Sequence, residues 1–295
     1  MRAIPLKKLV KLYLQSSEFN RLRDQTKLDY TRFLKILTDT LGETTASVVS
    51  GKDARMAYEE WVTRGIHLAN HVAAVAGIVY RHGQDMEYVK SNPFTLVRKL
   101  SPTARNTVWT QDQVRQFLDV AYGDFVYRNV GLIVQMAYEW CQRVGDMRML
   151  TWAAINFDKR RCDLVQSKRG AEVHLPISDT LMHVLKQQHE TFGFQVLVAP
   201  QVQPSDGSYK PYSKEMLHVH VNAVLEAAEL PSYLTAMDMR RTAITEMVEA
   251  GVDITQIKQV SGHTNINSLT PYIKHTYTGA SEALAKRNAF KAEKE

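Results

Sequence analysis

Helical periodicity governs this chain on both sides of one segment, and between Thr151 and Ser178 the pattern switches. Ala153–Phe157, Cys162–Gln166 and Glu172–Ile177 alternate apolar and polar side chains, the period of a half-buried strand. Asp158-Lys159-Arg160-Arg161 and Lys168-Arg169-Gly170-Ala171 separate them as turns. Three short strands joined by tight turns fold as an antiparallel meander. Too small to stand alone, it must pack on helices. The expected fold is mainly α with a small antiparallel β-sheet.

The helices before it fall in two groups. Ile4–Gln15, Asp24–Leu41, Lys52–Arg64 and Leu68–Arg81 each carry an apolar stripe, and Gly42 stops the second of them. Asn92-Pro93 breaks this series, because the residue before proline is pushed out of the helical region. Residues 96–107 are basic and aperiodic and read as a linker between a helical domain, 1–95, and a second domain, 108–279. Thr110-Gln111-Asp112-Gln113 is a capping-box pattern opening that second domain, and Asn129–Gln142 is its central apolar helix. Helices resume at Asp179 and Ser213–Leu230 around a loop, Val198–Tyr212, and 280–295 form a tail.

Charge separates the two domains further. Through Thr107 there are 17 Lys+Arg against 10 Asp+Glu, a balance of +7; the remainder has 20 against 21, a balance of −1. A polyanion is the partner such an excess attracts. Two cysteines, Cys141 and Cys162, are too few for a disulfide framework and read as buried thiols. No apolar run is long enough for a bilayer, and the first residues lack a secretory signal. His218 and His220 lie two apart on one helix, on nearly opposite faces, and do not chelate one ion. No metal or cofactor is expected.

Chemistry concentrates near the end of the chain. Arg240 opens one expected helix, His263 follows the glycine that ends the next, and Tyr272 comes in the short segment after it. Arg143 stands at the end of the central helix, with Asp146 three residues on, and Lys168 begins the second turn of the sheet. Two guanidiniums, an imidazole, an ammonium and a phenol form a set able to hold a phosphate diester and attack it. Arginine forks bind non-bridging oxygens bidentately and stay charged. A lysine among arginines can protonate a leaving alkoxide.

Read together, these motifs resemble the tyrosine recombinases of the phage-integrase family. The first arginine box is Arg143-Val144-Gly145-Asp146 with Leu150-Thr151-Trp152 behind it, and the hairpin lysine is Lys168 before Gly170 and Leu175-Pro176. The second box, His-x-x-Arg in the family, reads Met237-Asp238-Met239-Arg240, so a thioether stands where the family has a histidine. The third, Gly262-His263 followed by Tyr272, keeps the family spacing. Cys141 takes a position usually small or glycine.

The resemblance implies a site-specific recombinase that cuts and rejoins DNA through a 3′-phosphotyrosyl intermediate and a Holliday junction, without metal or ATP. Tyr272 is then the nucleophile, Arg143, Lys168, Arg240 and His263 its catalytic partners, Asp146 a buttress for Arg143, and Met237 a position that cannot act as a base. It implies duplex attachment or recombination sites, a homo-tetramer on DNA, accessory DNA-bending or directionality proteins, and a bacterial, nucleoid-associated cytoplasmic setting. Residues 1–95 become a core-type DNA-binding domain, and 280–295 a helix that docks on a neighbouring protomer. At this length the chain is expected to lack an arm-binding domain ahead of the core-binding one.

Taken singly the residues are weak. Arg143 at a helix C-terminus, Arg240 paired with Glu246 or Glu249, or Tyr272 in a core would each be ordinary. Type IB topoisomerases share the tyrosine chemistry, and a non-catalytic DNA-binding relative is the other alternative, with Met237 its only argument.

Overall fold

The computed structural model describes residues 3–191, 196–202, 209–272 and 277–292, in two compact units, Met1–Arg105 and Asn106–Glu295. The first is helical: α1 (Leu6–Leu14), α2 (Ser17–Asn20), α3 (Asp24–Leu41), α4 (Gly51–Val62), α5 (Ile66–Asp85), then a 3₁₀ turn, Pro93–Leu96. Ser50 and Asp53 form a capping box that starts α4. The apolar stripes meet in one core, with Leu6, Leu9 and Tyr13 of α1 and Leu34 and Leu37 of α3 against Trp61, Val72 and Tyr80. Aromatic polar ends are satisfied there: Trp61 Nε1 donates to Thr40 Oγ1 at 2.9 Å and the Tyr80 hydroxyl to the Ala46 carbonyl at 3.1 Å. Lys8, Lys11 and Arg32 face solvent.

The second unit opens at Thr110, whose side chain and that of Gln113 cap α6 (Gln111–Gly123) reciprocally. Its core surrounds α7 (Phe125–Glu139), followed by the short α8 (Val144–Met147). The sheet is an antiparallel meander of β1 (Ile155–Asn156), β2 (Arg161–Val165) and β3 (Glu172–Pro176), with Cys162 opposite Leu175 on its buried face. Next come α9 (Asp179–Glu190), the strand pair β4 (Gln201–Val202) and β5 (Tyr209–Lys210), α10 (Lys214–Ala227), α11 (Met239–Glu249) and α12 (Ile254–Ser261). A 3₁₀ turn, Ile266–Tyr272, and α13 (Tyr277–Ala292) complete the unit. The fold is mainly helical with a small antiparallel sheet.

Three expectations need correction. The central helix stops at Glu139, three residues short of Gln142. Cys141 has φ +56°, Cys141 N donates to Tyr138 O, and Gln142 N donates to Ala137 O. That is a Schellman motif with cysteine in the left-handed position, so the sequence shows no glycine stop there. The loop Val198–Tyr212 holds the β4–β5 pair, with 203–208 outside the described residues. The tail helix begins at Tyr277 rather than 280, and 293–295 lie outside the described residues.

A second, smaller apolar cluster decides where the functional elements meet. Cys141 from the turn after α7, Ala243 and Ile244 from α11, Ile257 from α12 and Leu269 from the 3₁₀ turn pack together. Each polar segment of interest is therefore rooted in the same few buried side chains.

Candidate active site

Arg143 is not a helix C-terminal residue. It lies beyond the Schellman turn, extended at φ −73°, ψ 134°, as the N-cap residue of α8. A guanidinium there gains nothing from the end of α7, so dipole pairing does not explain it. Its Nη1 donates to Gln166 Oε1 at 2.8 Å and lies 3.7 Å from Asp146 Oδ2. Buried Asp146 accepts the Ser167 backbone N–H at 3.1 Å. It thus ties the arginine turn to the start of the hairpin turn.

Arg240 is the second residue of α11 and is itself buried. Nη1 donates to the Cys141 carbonyl at 3.1 Å, and Nη2 is 3.3 Å from each ring nitrogen of His263. Burial pulls its pKa below the usual arginine value, helped by Arg143. Asp238 does not cap α11 with its side chain; the carboxylate instead accepts from Thr235 N and Oγ1, closing the 3₁₀ turn Ala236–Asp238. Met237, in that turn, is 78% exposed. Glu246, one of the two surface partners considered for Arg240, takes the Tyr138 hydroxyl instead.

His263 is placed by a left-handed glycine, Gly262, that ends α12 at φ +66°. Its Nδ1 is 2.7 Å from the buried Ser261 hydroxyl. Burial, then Arg240, Arg143 and Arg169, lower its pKa to about 4. The ring is therefore neutral at physiological pH, so one of its two nitrogens carries a lone pair.

Tyr272 closes the 3₁₀ turn that buried Leu269 anchors. Its ring centroid is 6.5 Å from that of His263, and the Arg241 guanidinium carbon sits 5.0 Å above the ring. Lys168 is exposed in the turn between β2 and β3, and the next residue, Arg169, donates to Thr264 Oγ1 at 3.1 Å, beside His263. Arg143, Arg240, His263 and Tyr272 thus gather at one place, with the Lys168 turn held to its edge.

Gln166 and Gln142 escape a sequence reading, although both are buried between these elements. One signal existed: Gln166 falls on the inward register of its strand, in phase with buried Cys162, where an apolar residue is the rule. His218 and His220 do not act together. His218 lies 3.3 Å from Asn222, and His220 sits between the rings of Tyr127 and Tyr212. No metal-binding cluster and no membrane-length apolar helix occurs among the described residues.

Two arginines, a histidine and a tyrosine thus stand together in a helical domain that also carries a small antiparallel sheet. Residues 107–278, more than half of the chain, match the model of the phage integrase family, and the chain belongs to that family, the tyrosine recombinases. Tyrosine recombinase XerC of Pediococcus pentosaceus is 23% identical over 269 residues, covering 88% of each chain. A lambda integrase (75–356) dimer bound to a COC′ core site superposes with a TM-score of 0.78 at 15% identity, over 91% of this chain and 95% of that one. A lambda integrase tetramer bound to a Holliday junction gives 0.75 at 16% identity, over 89% and 78%.

Proposed function

We propose that this protein is a site-specific recombinase that cuts and rejoins duplex DNA through a 3′-phosphotyrosyl intermediate. The observation that carries the reading is the convergence of Arg143, Arg240, His263 and Tyr272 on shared apolar roots. Arg143 and Arg240 hold the non-bridging oxygens, where charge grows as phosphorus becomes five-coordinate. The Tyr272 oxygen attacks phosphorus, the 5′ oxygen leaves with a proton from Lys168, and neutral His263 accepts the phenol proton or holds the phosphate. Met237, a thioether exposed to solvent, takes no part in proton transfer. Rejoining reverses these steps, with a 5′ hydroxyl displacing tyrosine. One phosphate ester replaces another, so the exchange needs no nucleotide.

The basic residues of 1–95 grip the duplex, 96–107 link them to the catalytic domain of 108–279, and the tail of 280–295, which carries most of α13, docks on a neighbouring protomer. Four protomers exchange strands of two sites through a Holliday junction, by analogy with the lambda integrase tetramer. The test is covalent capture on a duplex nicked beside the cleavage point. Tyr272→Phe should abolish the adduct and leave DNA binding intact. An adduct that survives this change overturns the proposal, and one formed without any preferred sequence points to topoisomerase-like relaxation instead.

A further inference from the structure

We infer that Gln166 is a positioning residue for Arg143, acting through a chain of two buried carboxamides that also holds the segment leading to His263. The inference rests on the strand-transfer reading of the site.

Gln166 is 1% exposed and occupies the root of the hairpin that carries Lys168. Its backbone closes that turn: N donates to Ala171 O at 2.8 Å, and O accepts from Gly170 N at 2.9 Å. Its side chain faces the other way, with Nε2 donating to Gln142 Oε1 at 2.7 Å and to Ser261 O at 2.8 Å. Gln142 Nε2 donates to the Trp140 and Val260 carbonyls, both at 2.7 Å.

These partners leave the amides no choice of orientation. Backbone carbonyls only accept, so three of them (Trp140, Val260, Ser261) fix which end of each carboxamide is nitrogen. Gln142 must then present oxygen to Gln166, and Gln166 must present oxygen to Arg143. That oxygen is the short contact on the Arg143 guanidinium, at 2.8 Å, against 3.7 Å to Asp146.

The chemistry of that acceptor matters. A carboxylate at the same distance would pair with Arg143 and reduce the charge offered to a phosphate, whereas a neutral amide aims the fork and leaves its charge in place. The same amide is bound to Ser261, two residues before His263. A Cβ on Gly262 would lie 2.5 Å from Gln166 Nε2, at a φ of +66°. Gly262 therefore keeps the space in which the amide sits.

A double-mutant cycle separates positioning from general support. The probe is a nicked duplex whose site is selected from random sequence by binding to the full-length protein; the readouts are affinity and single-turnover cleavage. Gln166→Met should bind normally but cleave roughly 10- to 100-fold more slowly, the loss expected for a hydrogen bond to a charged group. In an Arg143→Ala background the same change should add far less, because most of its effect passes through that arginine and only the remainder through the Ser261 carbonyl. Gln142→Met, which removes the next amide of the chain and leaves both Gln166 and Arg143 in place, should repeat the pattern more weakly if Gln166→Met folds poorly. Full additivity with Arg143→Ala, or wild-type cleavage by Gln166→Met, overturns the positioning role alone. A wild type that shows no Tyr272-dependent cleavage overturns the strand-transfer reading and the role with it.

Discussion

Among the described residues, all twelve buried polar or charged side chains belong to the C-terminal unit, from Arg128 to Ser261, while the N-terminal unit buries apolar and aromatic ones. Net charge is divided the opposite way, with the basic excess confined to the first 107 residues. A buried donor or acceptor left without a partner costs about 1–3 kcal/mol, so such groups persist where neighbours satisfy them and orientation is worth specifying. Attraction of a basic surface to a polyanion needs no such direction. Under the proposed function, one unit attracts and the other aims.

The sharpest way to break this division is to disturb each half and measure affinity and chemistry separately. Arg240→Ala removes a guanidinium from the buried set and leaves the Cys141 carbonyl without its partner. Single-turnover cleavage at saturating DNA should fall by roughly 10²–10³, the scale of one lost transition-state donor, with a much smaller change in affinity. Lys8→Gln combined with Lys11→Gln, on the exposed face of α1, should do the reverse. If both contact phosphate, the log–log salt dependence of binding loses up to about two units of slope, with the saturated rate unchanged. Should the lysine pair slow saturated cleavage, or Arg240→Ala act only on affinity, the division fails.

The same contrast explains what was legible in the sequence. The span of α3, the Thr110 capping box and the strand–turn–strand order around Lys168 are local patterns, set by residues within a few positions of one another. The end of α7 was hidden because Cys141 adopts a conformation usually given to glycine. Asp238 stands just before α11, where aspartate commonly caps a helix, but it serves the preceding turn, where Thr235 is the better-placed donor. The roles of Gln142 and Gln166 were hidden for a different reason: their partners lie up to 118 residues away in the chain. The candidate set could be picked out by motif, whereas the two amides packed beneath it depend on contacts only the fold creates.

His263 offers a smaller, more local measurement. Burial and the charges of Arg240, Arg143 and Arg169 place its pKa at about 4, against an ordinary 6.5. The unfolded chain therefore takes up this proton first as the solution is acidified. His263 contributes stability that is intact above the unfolded value of 6.5 and is lost as pH falls toward about 4. The His263 Cε1 proton resonance should titrate near 4, and in Arg240→Gln the midpoint should rise toward 6.5. A wild-type midpoint already at the ordinary value would show that the arginines do not govern the ring, and the cradle would be looser than its contacts imply.

The smallest effect is expected at Cys141, where the two demands on one residue oppose each other. Its φ of +56° costs an L-residue roughly 1–2 kcal/mol, which glycine would recover. Its side chain is wholly buried against Ile244 and Ile257, and burial drives the thiol pKa up to about 12, so it behaves as a small apolar group. Deleting it forfeits about 1 kcal/mol of packing by the methylene scale. Cys141→Gly should therefore melt within a few degrees of wild type, a net change of about 1 kcal/mol or less. Cys141→Ala keeps the backbone strain and loses the sulfur, so it should melt below Cys141→Gly. Both should cleave DNA at the wild-type rate, because Arg240 Nη1 binds the carbonyl of this residue, and the thiol reaches only the Arg240 backbone carbonyl, at a long 3.7 Å. If Cys141→Gly folds well yet cleaves slowly, the Cβ is needed to keep that carbonyl aimed, and the polar cradle extends into the apolar cluster beneath it.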